Sequence, residues 1–280
     1  MRWSDGGRSS DLEDERGGGG GFQFGGMHIG IGGFIILLIL SFVFKRNFFT
    51  LLSTNPGATP AAQTRPVEDA KEEPEVHFVS FVLDDAQKTW TRILQQRGVP
   101  YTHAKLVLFR ESVRSGCGVA QSASGPFYCP EDQKVYIDLS FYDELKDRFG
   151  ASGDFAQAYV LAHEIGHHVQ DVLGIERKVR QAMERNPSAR NALSVKLELQ
   201  ADCLAGVWGH STEQRNILEA GEVNEALQAA SAIGDDRLQK RAGRSVTPDS
   251  FTHGTSEQRV HWFNEGFKGG TIESCNTFAQ

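Results

Sequence analysis

The spacing of apolar residues divides the chain into a helical middle and end, two short strand-like runs, and an N-terminal quarter with neither period. From Asp154 to Leu173, Phe155, Ala158, Val160, Leu161, Ile165, Val169 and Leu173 recur at the spacing of a helix with one buried face. Asp154 stands where an N-cap would, and Gly174 is a natural stop. A second helix is predicted from Ser188 to Trp208, after the break at Asn186-Pro187. A third runs from Phe78 to Arg97 on Phe81, Val82, Ala86, Trp90 and Ile93, and a fourth from Glu222 to Arg241. Near the C-terminus, Thr255 or Ser256 can cap a helix with Trp262 and Phe263 on its buried side. Lys105 to Phe109 suits a strand. Lys134 to Leu139 alternates as one, with Val135, Ile137 and Leu139 on one face.

Ahead of these elements the pattern changes. Residues 1–26 are low in complexity, with an acidic cluster from Asp11 to Glu15 and a glycine run from Gly17 to Gly21, and are expected to stay disordered. No Gly-Lys-Ser/Thr follows the glycines, which removes a phosphate loop from consideration. Residues 27–44 are apolar except for His28 and Ser41, the short end of a membrane-spanning length. A buried helix fits poorly between a disordered segment and a linker. A cleaved signal peptide lacks its small-x-small site. The reading is a single transmembrane helix. Arg2, Arg8 and Arg16 precede it and Lys45 and Arg46 follow, so charge does not orient it. Residues 45–75 carry Pro56, Pro60, Pro66 and Pro74 and read as a tether, leaving residues 76–280 as the folded domain.

Composition narrows the partners. A formal net charge of −7 supplies no basic patch for nucleic acid. Of the three ways to pair four cysteines, Cys117 with Cys129 and Cys203 with Cys275 is the simplest. Formed disulfides would put the domain on the oxidising, extracytoplasmic side of the membrane; four reduced thiols in a cytoplasmic domain is the alternative.

The candidate chemistry lies on the first two helices. Residues 163–167 read H-E-x-x-H, which sets His163 and His167 side by side one turn apart, able to hold one zinc ion. Glu164 is then placed to act on water rather than on the metal. On the second helix Glu198 and Asp202 are again one turn apart. Most carboxylates on a helix simply face water. Downstream of H-E-x-x-H, Glu198 would complete a two-His, one-Glu site that keeps a fourth position open. Asp202 would accept the free N–H of a ligand imidazole. His168 points off the ligand face, and His210 and His261 have no second argument.

H-E-x-x-H followed by E-x-x-A-D resembles the gluzincin branch of zinc metallopeptidases, including the integral-membrane proteases of the heat-shock and CAAX-processing type. From about Val76 onward the chain is more closely similar to the bacterial family called putative neutral zinc metallopeptidases. That similarity rests on GPFYCP at 125–130, VYIDLSF at 135–141, LAHEIGHHVQ at 161–170, ELQADCLAG at 198–206, AIGDDRLQ at 232–239 and FTHGTSEQR at 251–259. It implies a mainly helical α+β domain of zincin-like layout with a small antiparallel sheet. It also implies a strand, here Val135 to Leu139, whose free edge binds an extended substrate. By the same resemblance His253 donates to the oxyanion and Arg259 holds the local structure. The expectation is a membrane-anchored zinc metallopeptidase that hydrolyses peptide bonds with a metal-activated water and Glu164 as general base. A zinc-binding scaffold without activity is one alternative, against which Glu164 argues. A zinc hydrolase of a non-peptide, cell-wall amide is another.

Overall fold

The computed structural model describes residues 1–17, 65–122, 125–147, 150, 153–219, 221–243 and 245–279. Its architecture is mainly helical α+β. The helices are α1 (Arg65–Gln95), α2 (Ser140–Asp147), α3 (Asp154–Val172), α4 (Ile175–Arg185), α5 (Arg190–Gln214), α6 (Glu222–Ala232), α7 (Asp235–Arg241) and α8 (Ser256–Gly269). The strands are β1 (Leu12–Asp14), β2 (Lys105–Phe109), β3 (Ser112–Ser115), β4 (Gly118–Gln121), β5 (Phe127–Cys129) and β6 (Lys134–Asp138). The expected transmembrane helix, 27–44, lies outside the described residues. Among those described, no helix is long and apolar enough to cross a membrane.

The sheet is mixed rather than antiparallel. Its order is β1-β2-β6-β5, with β1 and β6 both parallel to β2 and only β5 antiparallel to β6. Parallel neighbours require the chain to travel back between strands, and α1 and the β3–β4 hairpin occupy those return paths. Val135 to Leu139 therefore does not offer the free edge expected of it. β6 is bonded on both sides, and β5 is the outer strand. Both faces of β2 and β6 are covered. Leu106, Leu108, Val135 and Ile137 join the main helical core, while Val107, Phe109, Tyr136 and Cys129 form a smaller one under the hairpin.

Two expectations about the N-terminal region change. Residues 1–17 pack on the domain as an arm, held by buried polar groups together with Met1, Trp3 and Leu12 against the main core. Arg16, only 2% exposed, donates to Asp14 at 2.8 and 2.9 Å and to Glu72 at 2.8 Å. The tether also ends sooner, since α1 begins at Arg65 and carries Pro74 inside it. Pro66 falls in the first turn, where helix amides are unpaired in any case. The predicted Glu222–Arg241 helix is broken at Ile233-Gly234 into α6 and α7. A side chain at Gly234 would stand 2.4 Å from the Ser256 amide nitrogen, so the start of α8 presses on that break.

α3 lies at the centre. Phe155, Tyr159, Leu161, Ile165 and Val169 are fully buried, each worth about 1.5–3 kcal/mol relative to exposure if it is a large side chain. It opens at Gly153 without a side-chain cap, Asp154 falling in the first turn instead, and closes before Gly174 at φ 68°. Glycines set the helix spacing. A Cβ on Gly166 of α3 would come 2.9 Å from the Ala201 carbonyl oxygen of α5; one on Gly206 of α5 would meet the backbone of Phe263 in α8, and one on Gly266 of α8 the backbone of Cys203 in α5, still more closely. Disulfides join Cys117 to Cys129, with Cα atoms 5.8 Å apart, and Cys203 to Cys275, 5.4 Å apart. The second ties α5 to the C-terminal turn Ile272–Cys275.

Candidate metal centre

Because Gly166 lets α3 and α5 nearly touch, the one-turn pairs on the two helices face each other. His163 Nε2 lies 3.3 Å from Glu198 Oε2, and His167 Nε2 lies 3.6 Å from Glu198 Oε1. The two imidazoles stand 4.9 Å apart and nearly perpendicular, at 89°. Each has its other nitrogen engaged. His163 Nδ1 is 2.8 Å from Asp202 Oδ1, and His167 Nδ1 is 2.9 Å from Gln170 Oε1. Those acceptors select the tautomer with the proton on Nδ1, so both Nε2 lone pairs converge on the space beside Glu198.

The donors fit zinc. With bonds of about 2.0–2.1 Å, the edges of a zinc tetrahedron measure about 3.4 Å. Each imidazole stands near that distance from one oxygen of Glu198, His163 at 3.3 Å from Oε2 and His167 at 3.6 Å from Oε1. One donor atom from each of His163, His167 and Glu198 lies within 4.8 Å of the other two, the group of this kind found among the described residues.

The charges point the same way. Burial alone would lower the His163 imidazole, but Asp202 and Glu198 outweigh it and raise it to about 10. Burial likewise opposes the charged form of His167, and Glu198 overrides it. Glu198 itself is held well below the ordinary carboxylate range by the imidazoles, against the opposing effect of burial. A cluster that draws protons onto its histidines this strongly has the negative surplus that a dication would neutralise. Burial pushes the Glu164 carboxyl up, toward the range of a working base.

Behind the donors lies a buried polar layer. Asp202, fully buried, accepts from Arg259 Nε at 2.8 Å and Nη2 at 2.9 Å, and from the Tyr159 hydroxyl. Burial would raise the Asp202 carboxyl, but Arg259 and His163 hold it at about 2. Arg259 thus lies against the carboxylate that faces His163 and offsets its charge. Gln170 continues the layer on the other side, donating to the Leu197 carbonyl at 2.8 Å and to Gln200 Oε1 at 3.1 Å.

In front lies a cleft of about 570 Å³, lined by His163, Glu164, His167 and Glu198 on its floor. His253 is on its rim, with a side chain 48% exposed. Asp235 holds this loop, accepting from the amides of Thr252, His253 and Gly254 at 2.7, 2.6 and 3.1 Å. Its other oxygen lies 3.3 Å from His253 Nδ1, and that contact raises the imidazole's pKa. Phe127 and Tyr128 of β5 line the opposite wall.

A sequence profile of the family described as putative neutral zinc metallopeptidase matches residues 1–278. The chain belongs to that family. Among its relatives in the family are uncharacterized protein YpfJ of Escherichia coli K12, 48% identical over 289 residues, covering 100% of this chain and 99% of YpfJ. Uncharacterized protein Rv2575 of Mycobacterium tuberculosis H37Rv is 40% identical over 190 residues, 64% of each chain. No solved structure matches the chain. Sequence reasoning missed several residues of this metallopeptidase-family site. Tyr159 and Gln170 each lie three or four residues from a histidine of the motif, a helix-neighbour signal that could have found them. Asp235 lies inside the AIGDDRLQ stretch but gives no sign by spacing that it holds a loop 18 residues on. His168 is fully buried off the ligand face as expected. It bonds the Thr102 carbonyl at 2.7 Å and the Tyr128 hydroxyl at 3.0 Å, which fastens β5 to α3.

Proposed function

We propose that this chain is a zinc-dependent peptide hydrolase of zincin-like layout, with His163, His167 and Glu198 holding one zinc ion. The observation that carries the reading is the convergence of those three donors, within 4.8 Å of one another, on the lining of a cleft that also holds Glu164. Zinc held there would supply a Lewis acid that polarises a carbonyl and makes water a stronger acid. The chain's own residues do the rest. Glu164, raised by burial, takes a proton from water on its carboxylate oxygen and returns it to the leaving amine. His253, whose Nδ1 lies 3.3 Å from Asp235, donates a hydrogen bond to the developing oxyanion from the rim. β5, antiparallel to β6 and outermost in the sheet, presents backbone groups beside Phe127 and Tyr128 to which an extended peptide adds as a further strand. The two disulfides support action in an oxidising, extracytoplasmic compartment.

Zinc stoichiometry and turnover of a peptide library, measured on the same preparations of the full chain and of Glu164→Gln, test this reading. The unsubstituted chain is expected to bind one zinc and cleave. Glu164→Gln is expected to keep the zinc and lose at least about two orders of magnitude in kcat. Zinc binding without cleavage of any peptide would instead favour the scaffold, and a fully active Glu164→Gln would remove the base.

A further inference from the structure

The buried layer behind the metal donors runs on past Gln170 to the C-terminal turn. Gln200 of α5, itself buried, accepts from Gln170 Nε2 at 3.1 Å and donates its own Nε2 to the Cys275 carbonyl at 2.8 Å. With His167 Nδ1 at 2.9 Å from Gln170 Oε1, three hydrogen bonds in series join a metal donor to the backbone of Cys275. That backbone is held in turn. The disulfide to Cys203 fastens Cys275 to α5, and the buried Thr277 hydroxyl donates to the Lys196 carbonyl of the same helix at 2.7 Å.

The direction of the series is fixed at its far end. A backbone carbonyl has no hydrogen to give, so Gln200 must turn its NH2 toward Cys275, which leaves its oxygen facing Gln170. Gln170 then places one hydrogen of its NH2 on Gln200 Oε1 and the other on the Leu197 carbonyl, and keeps its oxygen for His167. Turned over, the Gln170 amide would offer hydrogens to His167 Nδ1 and oblige it to accept. The imidazole proton would then sit on Nε2, the atom that faces Glu198. His163 needs no such device, because ionised Asp202 presents only acceptors to its Nδ1. An amide presents a donor or an acceptor, and what lies behind it decides which.

We propose that Gln200 is a positioning residue for the metal site, carrying the orientation of the Cys275 carbonyl through Gln170 to His167, so that Nε2 keeps its lone pair free. This role rests on the reading of His163, His167 and Glu198 as zinc ligands. A buried amide that merely satisfied its neighbours would contribute to stability and leave metal affinity untouched.

Zinc affinity of the full chain, read by competition with a chromophoric chelator, and urea unfolding of the metal-free chain separate the two roles. Gln170→Met should weaken zinc binding about 10- to 100-fold, the scale for a ligand imidazole that loses its support. Gln200→Met should weaken it about tenfold, at the low end because Gln170 keeps its bond to Leu197. Added to Gln170→Met, Gln200→Met should cost less than about a further twofold, since its path to His167 is already cut. Thr277→Val removes a neighbouring tether of the same turn and should lower stability alone. Unchanged affinity in Gln200→Met, an equal loss with and without Gln170, or the same loss in Thr277→Val would each overturn the positioning role. An unsubstituted chain that binds no zinc would overturn the metal centre, and this role with it.

Discussion

Replacing Gly166 with alanine tests what brings the metal donors together. An added Cβ would lie 2.9 Å from the Ala201 carbonyl oxygen and 3.2 Å from its Cα, both backbone atoms of α5 that cannot rotate away. Unstrained contacts to carbon sit at about 3.5–4.0 Å, so the helices must part by about half an ångström. Overpacking of this kind costs about 1–3 kcal/mol. Alanine recovers about 1 kcal/mol over glycine as a helix former, which leaves a net loss of about 0–2 kcal/mol. The metal site is expected to suffer more than the fold. His163 and His167 ride on α3 and Glu198 on α5, at separations of 3.3 and 3.6 Å. A half-ångström shift exceeds the tolerance of about 0.2 Å on metal–ligand distances. Zinc affinity should fall about 10- to 100-fold, the scale on which misplaced support weakens a site. Competition with a chromophoric chelator measures that affinity, and urea unfolding measures the fold. Gly209→Ala on α5 is the control: its Cβ meets the Phe267 ring of α8 at 3.1 Å, away from the donors. It should alter stability and leave zinc affinity unchanged. Wild-type zinc affinity in Gly166→Ala would refute the argument that this close approach sets the donor geometry.

Three further outcomes are expected. Arg259→Met leaves the fully buried Asp202 carboxylate without its cation and should cost about 3–5 kcal/mol in denaturant unfolding; a loss below 1 kcal/mol would show that Tyr159 and His163 suffice. Asp235→Asn weakens the contact that raises the His253 imidazole; kcat should fall and its upper pH limit move to lower pH, with zinc content unchanged, whereas lost zinc would make Asp235 part of the metal support. Asp14 is held at about 2 by Arg16, against the opposing effect of burial, and below its ordinary 3.8. Its contribution is therefore present above pH 3.8 and lost as pH falls toward 2, worth about 1–2 kcal/mol after allowance for screening. Acid should release the arm, seen as a change in Trp3 emission that Trp3→Phe abolishes, and an arm still docked at pH 2 would contradict this.

The candidate donor cluster was legible in the sequence because each pair is local. A four-residue spacing on a helix puts His163 beside His167 and Glu198 beside Asp202 whatever surrounds them. The long helices were legible for the same reason, since their apolar period repeats over several turns. What the tertiary structure decided lies where no period exists or where a partner is distant in the chain. β5 has three residues, too few to alternate, yet it is the outer strand beside the cleft. The arm 1–17 reads as disordered because much of its attachment is made by Arg8, Arg16, Asp11 and Glu13, and charged residues signal solvent unless their partners are known. Those partners, Glu73, Glu72, Lys105 and Lys134, lie 56 to 121 residues away. Asp235 is indistinguishable from a surface carboxylate until the fold delivers three amides to it. Hydrophobic spacing reports which face of an element is buried. The pairing of buried charges depends on which elements meet, and only the packed structure settles that.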